Sequence, residues 1–406
     1  MKRIGERAGG RRRPASTTKR AFGLVSPRLV RPRPGHVCFA SIPDFSDSAY
    51  WMYRHLMASR AGLHFTWLVH DETHADQVSE DFRSSPHASN HRLQVLPWHS
   101  VAAYRAYLRS SVVFHTHGVF NFVASRPGRQ VVSLWHGMPM KVICAFEDSG
   151  RFANDVGGDI HVASSRLYRS VIAAAFLADP KSVLVSGLPR ADVLKGHLPP
   201  VLDRTTIAET VGLDPDRPIV VWLPTHRDDS ADGRVHSFLD QIDDDVLHAL
   251  VQTCERAGVQ VVVKLHPLDG LNDGYEGPLA SNAAVHFLTS EAWTRSGAQL
   301  YDLLAAADGM ITDLSSAAID FLHTRRPIGI VGYDESTYER DMIVPMGPLT
   351  ASEAIFHLRD AETIDTFVGS LETCTPIDLP DNDVAHWVIE DGDICSSETI
   401  AAAVGL

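Results

Sequence analysis

The sequence has few cysteines and no long apolar run, and each absence excludes a class of protein. The five cysteines among 406 residues are scattered and never spaced as a CxxC pair, which argues against a disulfide framework and against a zinc knuckle. No apolar run approaches the roughly 20 residues that a membrane-spanning helix needs. The basic N-terminus also lacks the apolar segment of a secretory signal, so we expect a cytoplasmic protein.

Sequence motifs of several large enzyme classes are absent as well. The chain has no Walker A sequence, no GxSxG elbow, no HExxH pair and no GxGxxG fingerprint. The predicted strand ends carry no convincing carboxylate cluster, and the acidic pair Asp228-Asp229 is expected to lie in a solvated loop. We therefore expect neither a bound metal nor a cofactor.

Charge is unevenly distributed along a chain whose net charge is −13. Residues 1–35 carry eleven basic residues and one acidic residue, which leaves −23 on the rest of the chain. Because nucleic-acid binding needs a basic face, the acidic body argues against a nucleic-acid partner. The basic tail, with little to bury, is predicted to be disordered, and its charge would suit contact with an anionic membrane surface.

Beyond the tail, short apolar runs alternate with segments of helical spacing in two successive sets. A break near 196–205 separates the sets and contains Gly196, Pro199 and Pro200. Such alternation indicates parallel sheets covered on both faces. We therefore predict an α/β protein with two Rossmann-like domains, over 36–200 and 206–390, that face each other across a cleft. The strands are predicted at 36–40, 64–69, 92–95, 111–114, 130–134, 160–163, 182–185, 218–223, 259–265, 284–288, 309–312 and 327–331, and helices at 49–59, 101–109, 165–177, 236–257, 298–307, 315–323 and 363–374.

Polar residues follow several of these strands, and ligands in open α/β sheets bind at the carboxyl ends of the strands. After the strand at 309–312, Asp313 is expected to cap a helix that begins near Ser315. Ser315 and Ser316 would then add hydroxyl donors to the free N–H groups of the first turn, which suits a diphosphate. A plain capping segment without a ligand explains the same residues about equally well.

Two histidines and an arginine also follow predicted strands. His136 precedes Gly137, which permits a close approach of backbone or ligand, and a histidine at a cleft edge can act as a general base. His266 and Arg227 could stabilise charge on a leaving phosphate. Because the chain contains 21 histidines, a structural role is the alternative explanation for each of them.

Taken in order, these segments resemble the CDP-glycerol glycerophosphotransferase family, whose members build or prime polymers of the teichoic-acid type. The resemblance covers most of residues 36–350 and rests on short motifs in the family's order. They are Trp135-His136-Gly137-x-Pro139-x-Lys141, Gly187-x-Pro189-Arg190-x-Asp192, Pro224-Thr225-x-Arg227, His266-Pro267 and Ile311-Thr312-Asp313-x-Ser315-Ser316, followed by Asp320-Phe321, Arg326-Pro327, Tyr333-Asp334 and Tyr338.

The resemblance implies a twin-Rossmann transferase of the GT-B type. It implies that His136 is the catalytic base, and that His266, Ser315 and Ser316 serve the phosphates of the donor. Arg227 and Thr312 are further candidates for donor binding. Gly137, Asp313, Pro224 and Thr225 complete the expected substrate site as members of the same motifs.

The implied reaction moves glycerol phosphate, or a related polyol phosphate, from a CDP-activated donor to a hydroxyl of a cell-envelope acceptor and releases CMP. The acceptor is expected to be lipid-linked or polymeric, and the enzyme peripheral at the inner face of the cell membrane. Met138 and Leu314 depart from the family's usual threonine and tyrosine, His226 replaces a common aromatic residue, and Lys264 a common arginine. These departures bear on the acceptor and on the polyol of the donor.

Two other readings stay open on the sequence alone. A GT-B glycosyltransferase or epimerase using a UDP- or GDP-sugar would share the fold, because a fold does not fix a function. A non-catalytic binding protein would also share it, although retention of both His136 and His266 argues against that.

Overall fold

A computed structural model describes residues 17–147, 157–224, 242–265, 279, 282–288, 293, 296–313, 315–332, 350–372, 376–390 and 393–406. These residues form two parallel sheets with helices packed on both faces, as predicted. Among them, no helix combines the length and the apolar character needed to cross a bilayer.

The first sheet has seven parallel strands in the order β3-β2-β1-β4-β5-β6-β7. Its strands are β1 (Arg33–Ala40), β2 (His64–Val69), β3 (Arg92–Pro97), β4 (Ser110–His115), β5 (Gln130–Ser133), β6 (Ile160–Ala163) and β7 (Val183–Val185). The helices of this part are α1 (Thr17–Leu29), α2 (Asp47–Ser59), α3 (Glu72–Ser84), α4 (Val101–Arg109) and α5 (Arg166–Ala175).

The second sheet has six parallel strands in the order β10-β9-β8-β11-β12-β13. They are β8 (Ile219–Leu223), β9 (Gln260–Val263), β10 (Val285–Phe287), β11 (Gly309–Thr312), β12 (Ile328–Ile330) and β13 (Ile355–His357). The helices are α6 (Arg204–Val211), α7 (Asp244–Arg256), α8 (Leu300–Ala306), α9 (Ser316–Phe321) and α10 (Ala361–Glu372), followed by α11 (Ala385–Val388) and α12 (Ser396–Ala403).

Central strands form where the sequence is continuously apolar, because both faces of each sheet are covered. All five residues of β8 are buried, as are all four of β9. Helix starts are marked by capping side chains, since Ser100 and Ser165 accept hydrogen bonds from backbone N–H groups in the first turns of α4 and α5.

Both sheets have a topological switch point, between β1 and β4 in the first and between β8 and β11 in the second. Connections on the two sides of such a point leave in opposite directions and open a crevice at the carboxyl ends of the strands. The crevice of the first sheet is bordered by Thr116 and His117, and that of the second by Pro224 and Asp313. The fold thus directs two sets of strand-end loops toward one site.

Regular structure is present within the segment that was predicted to be a disordered tail. The disordered tail expected over 1–35 is replaced by α1 and by the start of β1, while residues 1–16 lie outside the described part. Helix α1 is held because Ser26 is buried and its hydroxyl lies 2.5 Å from the Tyr104 hydroxyl. Gly23 lies so close to the carbonyl of Phe122 that a Cβ would not fit there.

The end of the chain returns to the first domain, which the predicted boundary at residue 390 did not anticipate. Asp192 is fully buried and accepts hydrogen bonds from the backbone N–H groups of Ser396 (2.7 Å) and Ser397 (2.8 Å) at the start of α12. Val388 in α11 accepts one from the Ser164 hydroxyl (2.5 Å). The division at 36–200 and 206–390 otherwise stays a prediction.

Candidate active site between the two sheets

A cavity of about 480 Å³ lies between the two sheets and is lined by residues of both. The segment after β5 contributes most of one wall, and the loops after β8, β9 and β11 contribute the other. The lining residues are Trp135, His136, Gly137, Met138, Pro139, Met140, Lys141, Ile143, Leu223, Pro224, Lys264, Leu265, Leu300, Ser315, Ser316 and Ala317. Five of the predicted site residues, His136, Gly137, Pro224, Ser315 and Ser316, are therefore brought together.

His136 is held between two aromatic rings. Its ring centroid is 3.9 Å from that of Trp135 and 4.2 Å from that of His117, with 8° between the two imidazole planes. Burial, with a smaller contribution from His117, lowers the pKa of His136 to about 3. The imidazole is therefore neutral, which is the protonation state that a general base requires.

Gly137 is the point at which the two domains meet. Its φ of +136° is a conformation that glycine adopts most readily. A Cβ at this position would clash with the Ser316 hydroxyl and would lie 2.9 Å from Ser316 Cβ and 2.8 Å from Arg190 Nη2. The glycine is therefore required by close approach across the cleft as well as by backbone conformation.

Ser315 caps helix α9, because its hydroxyl accepts a hydrogen bond from the N–H of Ala317 (3.2 Å). The expectation that Asp313 provides this cap is wrong. The reason is geometric: the helix begins at Ser316, so Ser315, and not Asp313, occupies the N-cap position. Ser316 follows in the first turn and lines the cavity beside the cap.

Thr312 and Asp313 lie behind the cavity rather than on its surface. Both are fully buried, and the Thr312 hydroxyl donates to the carbonyl of Leu223 (2.8 Å), which ties β11 to β8. Neither belongs to the lining. The structure thus gives Thr312 a role in holding the strand ends together, while a direct contact with the donor stays a prediction for both residues.

The described wall of the cavity carries cations but no acid. Lys141 and Lys264 both line it, and the described part of the lining includes no Asp or Glu. Lys264 is largely buried, which lowers its pKa, and its ammonium group has no salt-bridge partner among the described residues. In a chain of net charge −13, this wall is suited to an anionic ligand, because field lines concentrate in a cleft lined by charge of one sign.

Three predicted site residues, His266, Arg227 and Thr225, lie outside the described residues. Their roles stay predictions. The residues that directly precede two of them in sequence do line the cavity: Leu265 precedes His266, and Pro224 precedes Thr225.

The sequence also left site residues unassigned. His117 gave no signal beyond its place after an apolar strand, yet its ring stacks on His136. Arg190 was noted only within a family motif, yet it donates to the backbone carbonyl of His136 (2.9 Å). A contact between residues 54 positions apart depends on the fold, so no local pattern could have revealed it.

One group of described side chains has atoms close enough to hold a metal ion: Asp44, Asp71 and His74. It lies after β1 and β2 and shares no residue with the cavity. The Asp44 carboxylate already accepts a hydrogen bond from His70 Nδ1 (2.7 Å), and Asp71 is exposed. The predicted absence of a metal cofactor stays a prediction.

Comparison with known proteins agrees with this geometry. The family model described as CDP-glycerol:poly(glycerophosphate) glycerophosphotransferase matches residues 24–346. The solved structure of the wall teichoic acid polymerase TagF is similar with a TM-score of 0.68 and 15% identity, and the match covers 96% of this chain and 92% of that one. The GT-B type of fold implied by the sequence is thereby confirmed.

Two curated relatives are teichoic acid polymerases of staphylococci. The ribitol-phosphate polymerase TarL of Staphylococcus aureus is 22% identical over 240 residues, which are 56% of this chain and 40% of the relative. A poly(glycerol phosphate) polymerase of Staphylococcus epidermidis is 21% identical over 352 residues, which are 76% of this chain and 42% of the relative. The chain thus spans about two fifths of the length of these relatives. From the extent of the family match, the chain belongs to the CDP-glycerol:poly(glycerophosphate) glycerophosphotransferase family.

Proposed function

We propose that this protein transfers glycerol phosphate, or a related polyol phosphate, from a CDP-activated donor to a hydroxyl group of a cell-envelope acceptor, with release of CMP. The observation that carries the proposal is the cavity between the two sheets. It places His136 of the first domain opposite Ser315 and Ser316 of the second, in a described wall with two lysines and no acid.

The donor side of the site is formed by the second domain. We assign the Ser315 and Ser316 hydroxyls and the Lys264 ammonium to the diphosphate, because hydroxyls donate to phosphate oxygens and the ammonium has no counter-charge among the described residues. Arg227, His266 and Thr225 are proposed to join them on the strength of the family motifs. Together these groups would stabilise the charge that develops on the departing CMP.

The acceptor side is formed by His136. In the proposed reaction its neutral imidazole takes the proton of an acceptor hydroxyl. The acceptor oxygen bonds to the phosphorus that carries the polyol, and the bond from that phosphorus to the bridging oxygen of CMP breaks. A pKa of about 3 is low for a base, but two donor phosphates would raise it because negative charge favours the imidazolium form.

The identity of the polyol is the main open choice within this proposal, since the curated relatives include both ribitol-phosphate and glycerol-phosphate polymerases. The test is incubation of the purified chain with CDP-glycerol, CDP-ribitol or UDP-N-acetylglucosamine, together with a polyol-phosphate acceptor. The released nucleotide is then identified by chromatography. Release of CMP supports the proposal, whereas release of UDP alone would favour the sugar-transferase alternative.

We also propose contact with a membrane surface, through α1 and the basic residues beside it. Leu24, Val25 and Leu29 are 58%, 53% and 78% exposed on the outer side of this helix. Arg28 and Arg31, which are also exposed, flank them. Apolar side chains beside cations are the composition that lies in the interface of an anionic bilayer.

The membrane proposal is tested by co-sedimentation with vesicles of anionic or of purely zwitterionic phospholipid. We expect binding to the anionic vesicles only, and we expect Leu24→Ser with Leu29→Ser to weaken it. Equal binding of the wild type and the double variant would show that α1 does not contribute to vesicle binding. A matched control is Leu177→Ser, because Leu177 is 71% exposed and follows α5.

A further inference from the structure

Arg190 is a buried cation that connects the two domains. It lies in a short 3-10 helix, Pro189–Asp192, after β7 and is 5% exposed. From the first domain, Asp47 accepts from its Nη1 through both carboxylate oxygens (3.1 and 3.2 Å). From the second, Asp320 of α9 accepts from its Nε (3.0 Å) and its Nη2 (2.6 Å). One guanidinium thus holds the start of α2 and helix α9 together.

The same guanidinium also contacts the segment that carries the base. Its Nη1 donates to the backbone carbonyl of His136 (2.9 Å). Its Nη2 lies directly behind Gly137, because a Cβ there would be 2.8 Å from it, and Ser316 lies on the same side of that glycine. Arg190 therefore contacts the His136-Gly137 segment on the side away from the cavity, close to Ser316, and does not itself belong to the lining.

A tyrosine supplies a further hydrogen bond to this group of charges. Two carboxylates face one guanidinium, and the Tyr301 hydroxyl of α8 donates to Asp320 (2.5 Å). The Tyr301 ring also lies 5.1 Å from the guanidinium carbon, in a cation–π arrangement. Although burial alone would lower the pKa of Arg190, Asp320 and Asp47 raise it, so the arginine stays charged.

We infer that Arg190, with Asp47, Asp320 and Tyr301, forms a clamp across the cleft that sets the distance between His136 and the Ser315–Ser316 turn. This inference rests on the proposed function, since it concerns the distance between the base and the donor phosphate. Arg190 is a positioning residue, not a catalytic one. A planar fork with donors in fixed directions makes five contacts with the two carboxylates and the carbonyl, a geometry that a compact ammonium group with three donors does not match.

The clamp predicts a specific kinetic signature. The donor binds mainly to the second domain, so loosening the clamp should leave its affinity nearly unchanged. The base belongs to the first domain, so its alignment with the donor should suffer, and a misplacement of about 1 Å can cost about 100-fold in rate. Arg190→Lys keeps the charge and Tyr301→Phe keeps the ring, which makes both suitable tests.

The experiment measures kcat for CMP release, the Kd of CDP-glycerol by calorimetry, and Tm. The control is Arg129→Lys, because Arg129 is equally buried (3% exposed) and lies 4.9 Å over the Tyr107 ring, but contacts neither the second domain nor the cavity among the described residues. We expect Arg190→Lys to lower kcat by about 10- to 100-fold with little change in Kd, and Arg129→Lys to lower only Tm.

Two results would overturn the clamp. One is a kcat of Arg190→Lys and Tyr301→Phe close to wild type. The other is a fall in kcat that only follows the loss of folded protein, as in the Arg129→Lys control. If Arg190→Lys fails to fold, the Tyr301→Phe variant decides, because it removes a single hydrogen bond. A wild type that releases no CMP refutes the proposed function. A wild type that releases CMP, with unaffected Arg190→Lys and Tyr301→Phe variants, refutes only the clamp.

Discussion

The imidazole rings of His117 and His136 are stacked face to face, with centroids 4.2 Å apart. A proton on either ring disfavours a proton on the other, and the contribution of His117 to the pKa of His136 is indeed to lower it. Burial is the larger cause of the low pKa of His136, and His117 adds to it. The stacked ring of His117 also restricts the plane of the His136 imidazole.

The first prediction follows from this pair. His136→Ala should lower the rate of CMP release at least 100-fold, because a general base typically supplies about 10²–10⁴-fold. His117→Phe retains a flat ring for stacking but removes the coulombic contribution that lowers the pKa of His136, so this pKa should rise and the acidic limb of the pH–rate profile should move to higher pH. Near-normal turnover of His136→Ala would contradict the role of His136 as the base. An unmoved pH–rate profile in His117→Phe would contradict the effect of His117 on the pKa of His136.

The second prediction concerns Lys264, whose side chain is largely buried and has no ionic partner among the described residues. Lys264→Met should raise Tm in the absence of ligand, because it removes an uncompensated charge from a largely buried position. The same change should weaken binding of CDP-glycerol, because the diphosphate loses its cation. Lys181→Met, at an exposed position, should change neither quantity. A variant that loses stability together with affinity would show that Lys264 has a structural partner.

The third prediction uses the contact between Gly137 and Ser316. Gly137→Ala should lower kcat at least 100-fold, because the new methyl group would clash with the Ser316 hydroxyl and would lie 2.9 Å from Ser316 Cβ. Adding Ser316→Gly removes that side chain and should restore part of the activity, although the unfavourable φ and the proximity of Arg190 remain. Measured as a double-mutant cycle in kcat, the two changes should couple strongly. Additive effects would mean that the domains do not meet at this point during turnover.

The fourth prediction is a loss of stability in mild acid. Burial lowers the pKa of His115 to about 3 and that of His161 to about 4, against about 6.5 in the unfolded chain. Unfolding therefore takes up protons between pH 6.5 and 4, so this stability is fully present above pH 6.5 and is lost as the pH falls. Each histidine contributes up to about 1.4 kcal/mol per pH unit.

Two acids among the described residues oppose this trend. Burial raises the pKa of Asp302 to about 6 and also raises that of Asp81, so protonation of either acid favours the folded state. Three histidines, His115, His136 and His161, have strongly lowered pKa values and outnumber them. A series of Tm measurements should therefore fall between pH 6.5 and 4.5, and His161→Leu should make the fall shallower. His99→Leu, at an exposed position, is the matched control, and an unchanged slope in His161→Leu would refute the explanation.

The sequence predicts the strands better than it predicts their surroundings. The bounds expected for 64–69, 160–163 and 309–312 agree with β2, β6 and β11, because short apolar runs between turns have few alternatives. Helix α1 was missed, since Gly23 and Pro27 interrupt its pattern and its support comes from Tyr104, 78 residues away. Helix α6 falls partly in the predicted break, where Pro199 and Pro200 suggested a linker.

The site, like the fold, could be predicted from the sequence only in part. His136 and Ser316 could be placed at strand ends from local pattern alone, and the structure brings both to one cavity. Which side chains face that cavity could not be predicted, because central strands are apolar on both faces. Thr312 and Asp313 were expected on its surface but are fully buried, whereas Lys264 lines it.

The return of the chain to the first domain has a consequence for biosynthesis. His55 in α2 contacts Glu398 in α12 at 3.0 Å, across 343 positions of sequence, and Asp192 receives its hydrogen bonds from the same helix. The N-terminal domain therefore cannot complete its packing until residues 396–403 have left the ribosome. Contacts between residues so far apart in sequence slow folding and leave the apolar surface of partly folded states exposed. We expect an N-terminal fragment ending near residue 200 to depend on chaperones, and co-expression with the remainder to rescue it.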